Sequence, residues 1–279
     1  MFWGGTFVFT RIAAQTFGPF TGAGLRYAIA LVFLLPMAWK QNRNAFRITL
    51  SKFPSLFLSG FMGVFAYNFF FFKGLKTTPA SRGALLAALS PSLVMLISSI
   101  VYKEKLSLRK ITGTIISLFG VVVVISRGHF IELLSSIETG DLFMLGCPVT
   151  WAFYTLAGRA AVKDHTPLQT TTWASISGLA LLFLFSFTEP MPTTVPLSVW
   201  VALGYLGIMG TVVAFVWYYD GIRAIGATRA AIFNNLVPVF AVIFSVFILQ
   251  ENVSWYTWLG GLFVISGVLF VNLPTKSNL

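Results

Sequence analysis

The stretch G-L-K-T-T-P-A-S-R-G-A-L-L-A-A-L-S-P at residues 74–91 has a diverged copy, G-I-R-A-I-G-A-T-R-A-A-I-F-N-N-L-V-P, at residues 221–238. With an offset of 147 residues, the longer segment 60–126 aligns with 207–273 without a gap. The matches include charged and turn-forming residues, which two unrelated apolar sequences would not share by chance, so the chain contains an internal repeat. The identical pairs include Gly74/Gly221, Ala80/Ala227, Arg82/Arg229, Leu89/Leu236, Pro91/Pro238 and Glu104/Glu251.

The repeat reaches the beginning of the chain when the offset is 148 residues, because Trp3 then aligns with Trp151. About ten apolar residues precede Trp151 in its span, whereas two residues precede Trp3. We therefore expect the first helix to lack about eight residues at its N-terminus. The two copies are predicted to form two domains, covering residues 1–126 and 140–273.

The composition is that of a membrane protein. Of the 279 residues, 57% are hydrophobic and 10% are charged, and the mean hydropathy is +0.84. A soluble domain carries about a quarter charged residues, so we expect an integral membrane protein. The length allows about ten helices of roughly 20 residues each. The apolar windows that predict these spans lie at 1–16, 19–39, 53–73, 79–102, 110–126, 140–160, 167–187, 196–219, 226–249 and 255–273.

Each copy of the repeat contains five predicted spans, and an odd number inverts the second copy in the membrane. The sequence therefore predicts an all-α integral membrane protein with ten transmembrane helices, arranged as two inverted-topology five-helix repeats around a central cavity. With both termini in the cytoplasm, 13 of the 19 Lys and Arg residues lie on the cytoplasmic side and six lie outside. The positive-inside rule favours this orientation. We expect a multi-pass protein of the cytoplasmic (inner) membrane whose net charge of +11 faces anionic lipid and binds no nucleic acid. The six outer residues are Arg11, Arg26, Lys73, Lys76, Arg82 and Arg127.

A family resemblance rests on several short motifs beside the run at 74–91. They are W-G-G-T-F at 3–7, L-R-Y at 25–27, K-E-K-L-S at 103–107 and Q-E-N-V-S at 250–254. Together they resemble the EamA-type members of the drug/metabolite transporter superfamily. The resemblance implies a central cavity lined mainly by the first, third, fourth, sixth, eighth and ninth helices. It also implies movement of metabolites, amino acids or drugs, often outward.

Two prolines mark the predicted cavity. Pro91 and Pro238 lie near the middle of the predicted spans 79–102 and 226–249. An interior proline kinks a helix and frees the carbonyl four residues back, and a freed carbonyl at membrane depth is tolerated where it faces protein or a water-lined cavity. We expect each proline to be a cavity-lining hinge; a static kink that improves packing is the alternative.

Amides and aromatic residues complete the predicted substrate cavity. An unpaired amide in hydrocarbon costs several kcal/mol, so Asn68 and Asn234 are expected to face the cavity or to form interhelical hydrogen bonds. Aromatic walls would suit amphipathic small molecules, although aromatic residues at this depth also face lipid or pack in the core. The aromatic candidates are Trp3, Tyr67, Trp151, Trp217 and Tyr218.

Charged residues near span ends supply candidate gates. Arg82 and Arg229 begin pseudo-symmetric spans on opposite sides of the membrane, and Asp220 could pair with Arg229. Arginine at a span end also snorkels to lipid headgroups, so both roles stay open. Glu104 and Glu251 precede short turns, each three residues before a serine that could cap the following helix.

The remaining features separate the function classes. The chain has no phosphate-binding loop, one cysteine and two separated histidines, so we expect no enzyme, metal or cofactor. The sequence predicts a secondary transporter that moves small metabolites, amino acids or drug-like molecules by alternating access, most often as an exporter. A channel-like permease or a lipid flippase is the alternative. Transport would proceed by facilitated diffusion or couple to protons through Asp220 or Glu104.

Glycines at seven-residue spacing mark the predicted fifth and tenth helices. Small residues let helices approach closely in a membrane. These glycines therefore predict either packing within the chain or a weak homodimer contact, and we expect a monomer or a weak homodimer. The glycines are Gly113, Gly120, Gly260 and Gly267.

Overall fold

The structure is a computed structural model that describes residues 1–41, 53–103, 108–127, 137–162, 165–215, 217 and 236–272. All regular secondary structure in these ranges is helical. The elements are α1 (Phe2–Ala14), α2 (Pro19–Gln41), α3 (Phe53–Ser59), π1 (Gly60–Ala66), α4 (Tyr67–Thr77), α5 (Ala80–Ala87), α6 (Ser90–Tyr102), α7 (Leu108–Ser126), α8 (Thr139–Ala161), α9 (Pro167–Ser186), α10 (Leu197–Gly207), π2 (Ile208–Val213), α11 (Val237–Leu249) and α12 (Trp255–Asn272).

Several helices have the length and apolarity that a membrane span requires. In the described part of the chain, four helical stretches meet both criteria: Pro19–Gln41, Phe53–Thr77, Ala80–Val101 and Pro167–Ser186. Shorter apolar helices accompany them, and large apolar side chains such as Phe247 are exposed on the outer surface. Exposed side chains of this kind are stable against lipid and costly against water. The all-helical membrane architecture expected from the composition is confirmed.

The segment predicted as one kinked helix at 79–102 is two helices. α5 ends at Ala87, a turn follows at 88–89, and α6 begins at Ser90 with Pro91 in its first turn. The expectation of a proline inside a continuous helix is therefore corrected at this position. Proline is well tolerated in a first turn because the backbone N–H groups there have no intrahelical acceptor, so the N–H that proline lacks costs no hydrogen bond. The Ala87 carbonyl accepts a hydrogen bond from Ser90 Oγ at 2.6 Å.

Local backbone conformation recurs at the repeat offset. π1 and π2, which no sequence pattern predicted, interrupt two apolar helices at positions about 147 residues apart. Lys103 and Gln250, separated by 147 residues, end α6 and α11 with the same left-handed conformation, at φ 54° and 53°. Pro238 lies in the first turn of α11 as Pro91 does in α6. The two halves therefore share local structure as well as sequence.

The glycine-rich faces of α7 and α12 pack against each other. A Cβ atom added at Gly120 would lie 2.6 Å from the carbonyl oxygen of Gly260, and one added at Gly267 would lie 2.5 Å from that of Gly113. Only glycine permits backbones to approach this closely. The predicted glycine seams therefore serve packing within one chain.

Candidate substrate cavity

A cavity lies between helices contributed by both halves of the chain. The empty volume between its walls is about 1160 Å³, and part of that volume is open to the surroundings. α1, π1, α4, α5, α6, α8, π2 and α11 line it, and α2, α9 and α12 contribute as well. The last three are additions to the helices that the family resemblance implied. The lining is mostly apolar with a few convergent polar groups, which is the usual character of a small-molecule site.

Aromatic rings form one wall of the cavity. The rings of Trp3 and Trp151, which are equivalent positions in the repeat, meet edge-on with centroids 6.3 Å apart. Trp151 also contacts Tyr67 at 5.6 Å and Tyr154 at 5.3 Å, and Trp3 contacts Phe215 at 5.3 Å. The structure therefore brings together three of the predicted aromatic candidates and adds two rings that the sequence analysis did not select.

Trp3 is held by a hydrogen bond to the π-helical segment π2. Its indole Nε1 donates to the carbonyl oxygen of Gly210 at 3.1 Å. A π-helical turn offsets the backbone ladder and is often found at functional positions. Nearby, the Tyr205 hydroxyl donates to the carbonyl oxygen of Phe2 at 3.0 Å. These two bonds fix the beginning of α1 against the α10–π2 helix.

Arg26 lines the cavity, although it was expected among the basic residues on the outer side of the membrane. It is the eighth residue of α2, and only 5% of its surface is exposed. Nε donates to Thr211 Oγ1 at 3.1 Å and Nη1 donates to Asn68 Oδ1 at 3.1 Å, while the guanidinium lies 5.3 Å from the ring centroid of Tyr27. The partners are 42 and 185 residues away in sequence, so no local pattern could have revealed them.

Asn68 is fully buried behind the cavity wall, and it is absent from the lining. Its Nδ2 donates to the Val64 carbonyl oxygen at 2.8 Å. That bond orients the amide so that Oδ1 faces Arg26. The structure thus gives Asn68 the interhelical hydrogen bond that was the alternative to a cavity role.

The other predicted site residues are distributed as follows. Pro91 and Pro238 line the cavity. Trp217 is 63% exposed and packs its ring against Phe2 with centroids 5.4 Å apart, so the structure does not bring it into the cavity. Five residues with a predicted role in the site, the gates or proton coupling lie outside the described residues: Glu104, Tyr218, Asp220, Arg229 and Asn234.

Glu251 joins the two halves of the chain at one end of the cavity. Its carboxylate accepts from the backbone N–H groups of Ala80 at 2.7 Å and Ser81 at 3.1 Å, the first residues of α5. Arg11, at the end of α1, lies 3.6 Å from the same carboxylate and also donates to the Thr78 carbonyl oxygen. The free N–H groups and the dipole of a helix N-terminus both favour such an anion.

A second carboxylate from the C-terminal half caps a helix of the N-terminal half. Glu189 accepts from the backbone N–H groups of Phe20 at 3.0 Å and Thr21 at 2.8 Å, in the first turn of α2. Glu138 and Asp141 form a capping box at the start of α8. Each of these described acids therefore serves a helix N-terminus.

Arg82 forms a buried ion pair with Asp141. Arg82 Nη2 lies 2.5 Å from Asp141 Oδ2 and donates to the Ile125 carbonyl oxygen at 3.2 Å. Both side chains are buried, and Arg82 Nε and Asp141 Oδ1 make no hydrogen bond to a described residue. The pair links α5 to α8, near the end of the cavity where Glu251 caps α5.

Known proteins resemble this chain over its length. The model of the EamA-like transporter family matches residues 1–126 and 138–273. The uncharacterized transporter YyaM of Bacillus subtilis is 31% identical, over 96% of this chain and 89% of YyaM. An uncharacterized transporter of Archaeoglobus fulgidus is 30% identical, over 96% of this chain and 92% of that protein.

Two further comparisons concern location and fold. The uncharacterized inner membrane transporter YicL of Salmonella typhimurium is 23% identical, over 90% of this chain and 84% of YicL. A known crystal structure shares the fold with a TM-score of 0.67 at 22% identity, over 96% of this chain and 92% of that chain. The chain belongs to the EamA-like transporter family and is a multi-pass membrane transporter.

Proposed function

We propose that this protein is a secondary transporter that moves small, partly apolar metabolites, amino acids or drug-like molecules across the cytoplasmic membrane by alternating access. The observation that carries the proposal is a cavity walled by both halves, in which a wall of contacting aromatic rings lies beside a buried guanidinium. Outward transport is part of the proposal because the family resemblance implies it.

The inverted repeat supports alternating access. In the proposed architecture, ten spans form two five-helix repeats, 1–126 and 140–273, with both termini cytoplasmic. The recurring π-helices and left-handed helix ends at an offset of about 147 residues support two equivalent halves. Exchange of conformation between two such halves converts an inward-open state into an outward-open state. The α7–α12 contact within the chain supports a working monomer.

We assign the gate at one end of the cavity to ionic contacts between the halves. Arg82 with Asp141, and Arg11 with Glu251, tie α5 and α1 to residues of the second half. Opening this end requires both contacts to separate. The Arg82–Asp141 pair can separate during a transport cycle because the desolvation of a buried ion pair offsets much of its Coulomb attraction. The Arg11–Glu251 contact is partly exposed to solvent and is weaker. Asp220 and Arg229 are the proposed counterparts at the other end.

A two-stage experiment tests the proposal. The purified protein is first screened for thermal stabilisation by amino acids, nucleosides and drug-like compounds, since a ligand of the native state raises its stability. The best ligand is then used in proteoliposome counterflow. A carrier accumulates labelled ligand transiently when unlabelled ligand is inside. A channel-like permease gives no counterflow, and a flippase instead moves a fluorescent phospholipid between leaflets; either result would contradict the proposal.

A further inference from the structure

We infer that Arg26 is an anion-binding subsite of the cavity and that the transported molecule is an amphipathic monocarboxylate. This inference deepens the proposed function and rests on it. Arg26 is 5% exposed and lies well inside α2, at the cavity wall. Arginine has no accessible neutral form in a protein, so its charge must be compensated where it lies.

The neighbours of Arg26 do not supply that compensation. Its hydrogen-bond partners are the hydroxyl of Thr211 and the amide oxygen of Asn68, and its face contacts the ring of Tyr27. All three groups are neutral. No carboxylate pairs with Arg26 among the residues that the structure describes. A lone buried charge is expensive at membrane depth and typically marks a substrate or ion pathway.

The guanidinium is oriented so that part of it is left for a ligand. The bonds to Thr211 and Asn68 use Nε and one side of Nη1, and no hydrogen bond from Nη2 to a described residue is formed. A planar fork with free parallel N–H groups matches the two oxygens of a carboxylate. Because Asn68 is itself fixed by the Val64 carbonyl oxygen, the fork is held in place before a ligand arrives.

The surroundings specify the rest of the ligand. Trp3, Tyr67 and Trp151 offer an aromatic surface in the same cavity. Thr171 also lines it, and its Oγ1 is buried with no hydrogen bond to a described residue. One guanidinium neutralises one negative charge, whereas a dianion would leave a net charge in the membrane interior. These features favour a monocarboxylate with an aromatic or apolar body over a phosphate ester.

Three probes of similar size and different charge test the inference: phenylacetate, phenylacetamide and phenethylamine. Their binding to the purified full-length protein is measured in detergent by tryptophan fluorescence, since Trp3 and Trp151 line the cavity. We expect phenylacetate to bind at least about tenfold more tightly than the amide or the amine, because charge-assisted hydrogen bonds exceed neutral ones by that order. Equal affinity of the three probes, or no binding of phenylacetate, would overturn the inference.

Variants locate the subsite. Arg26→Gln should abolish the preference for phenylacetate, and Arg26→Lys should retain it in weakened form, because the ammonium keeps the charge and loses the fork. Arg127→Gln, which removes a partly exposed charge outside the cavity, should leave binding unchanged. Unaltered phenylacetate affinity in folded Arg26→Gln would overturn the assignment. If that variant does not fold, the wild-type probe series and Arg26→Lys decide the question.

Equilibrium binding separates this inference from the transport proposal. Phenylacetate that binds through Arg26 without entering counterflow would leave the subsite in place and contradict transport of this class of molecule. Counterflow of a neutral or cationic ligand, unaffected by Arg26→Gln, would support the carrier and overturn the anion subsite.

Discussion

Arg26 donates through Nη1 to Asn68 Oδ1 at 3.1 Å, and both side chains are buried between helices of the same bundle. This bond, with the one from Nε to Thr211, places a permanent positive charge between the segments around π1 and π2. The cavity therefore combines an aromatic wall with one guanidinium whose hydrogen-bond partners are neutral side chains.

Trp3→Phe should lower the rate of exchange in proteoliposomes by about twofold to tenfold, the equivalent of one neutral hydrogen bond. The phenyl ring preserves the contact with Trp151, whereas the Nε1 donor to the Gly210 carbonyl oxygen is lost. Initial exchange rates are compared at equal amounts of reconstituted protein. Trp255→Phe, at an exposed tryptophan, serves as the control. Unchanged kinetics in Trp3→Phe would show that the indole donor has no part in the cavity's function.

Asp141→Asn should lower the free energy of unfolding by roughly 3–5 kcal/mol, because Arg82 would stay buried without its counter-charge. Thermal unfolding is measured in detergent by the loss of the monodisperse peak in size-exclusion chromatography as the temperature of preincubation rises. The matched control is Arg127→Gln, which breaks a partly exposed ion pair with Glu138 and should cost about 1 kcal/mol or less. Equal stabilities of the two variants would argue against a buried pair.

Glu251→Ala should accelerate amide hydrogen exchange in the first turn of α5, where Ala80 and Ser81 lose their acceptor. Glu189→Ala is the reciprocal control, since it removes the acceptor for the first turn of α2. Exchange mass spectrometry should show each variant loosening its own helix start and leaving the other protected. If both variants altered both sites, or neither, the capping assignments would be wrong.

Gly120→Ala should destabilise the protein by about 1–3 kcal/mol, because the added Cβ would lie 2.6 Å from backbone atoms of Gly260 and Val264 in α12. The same substitution at Gly204 in α10 meets no heavy atom within 4 Å. Gly204→Ala should therefore be neutral or stabilising by up to about 1 kcal/mol, the helix propensity of alanine. The apparent melting temperatures of the two variants test the α7–α12 contact. A higher melting temperature for Gly120→Ala than for Gly204→Ala would contradict it.

The sequence predicts the apolar helices well because hydropathy and length are local properties. The predicted windows 167–187 and 255–273 correspond to α9, Pro167–Ser186, and α12, Trp255–Asn272. The predicted kink at Pro91 is a local signal too, but the helix is interrupted just before the proline, which lies in the first turn of α6. The turn at 88–89 makes this segment two helices and not one kinked helix. Tertiary packing determines whether such a turn forms, so the local sequence does not predict it.

The cavity could be predicted only in part. Pseudo-symmetry pointed to Trp3 and Trp151, which meet at the cavity wall. Arg26 was counted as an outer basic residue because charge near a span end usually flanks the membrane. Its role depends on Thr211 and Asn68, distant partners whose proximity follows from the packing of α2 against π2 and α4. Glu251 was likewise expected to belong to the short turn that follows it, whereas in the structure its carboxylate caps the N-terminus of α5.

Accessibility of the cavity from each side of the membrane tests alternating access most directly. A single cysteine is introduced at Ala88, which lines the cavity, in a background where the buried Cys147 is replaced by alanine. An impermeant thiol reagent is then applied to right-side-out and inside-out vesicles. The account predicts labelling from both sides, reduced by bound ligand, without passage of the reagent through the protein. Labelling from one side alone under all conditions, or free passage of the reagent, would contradict it.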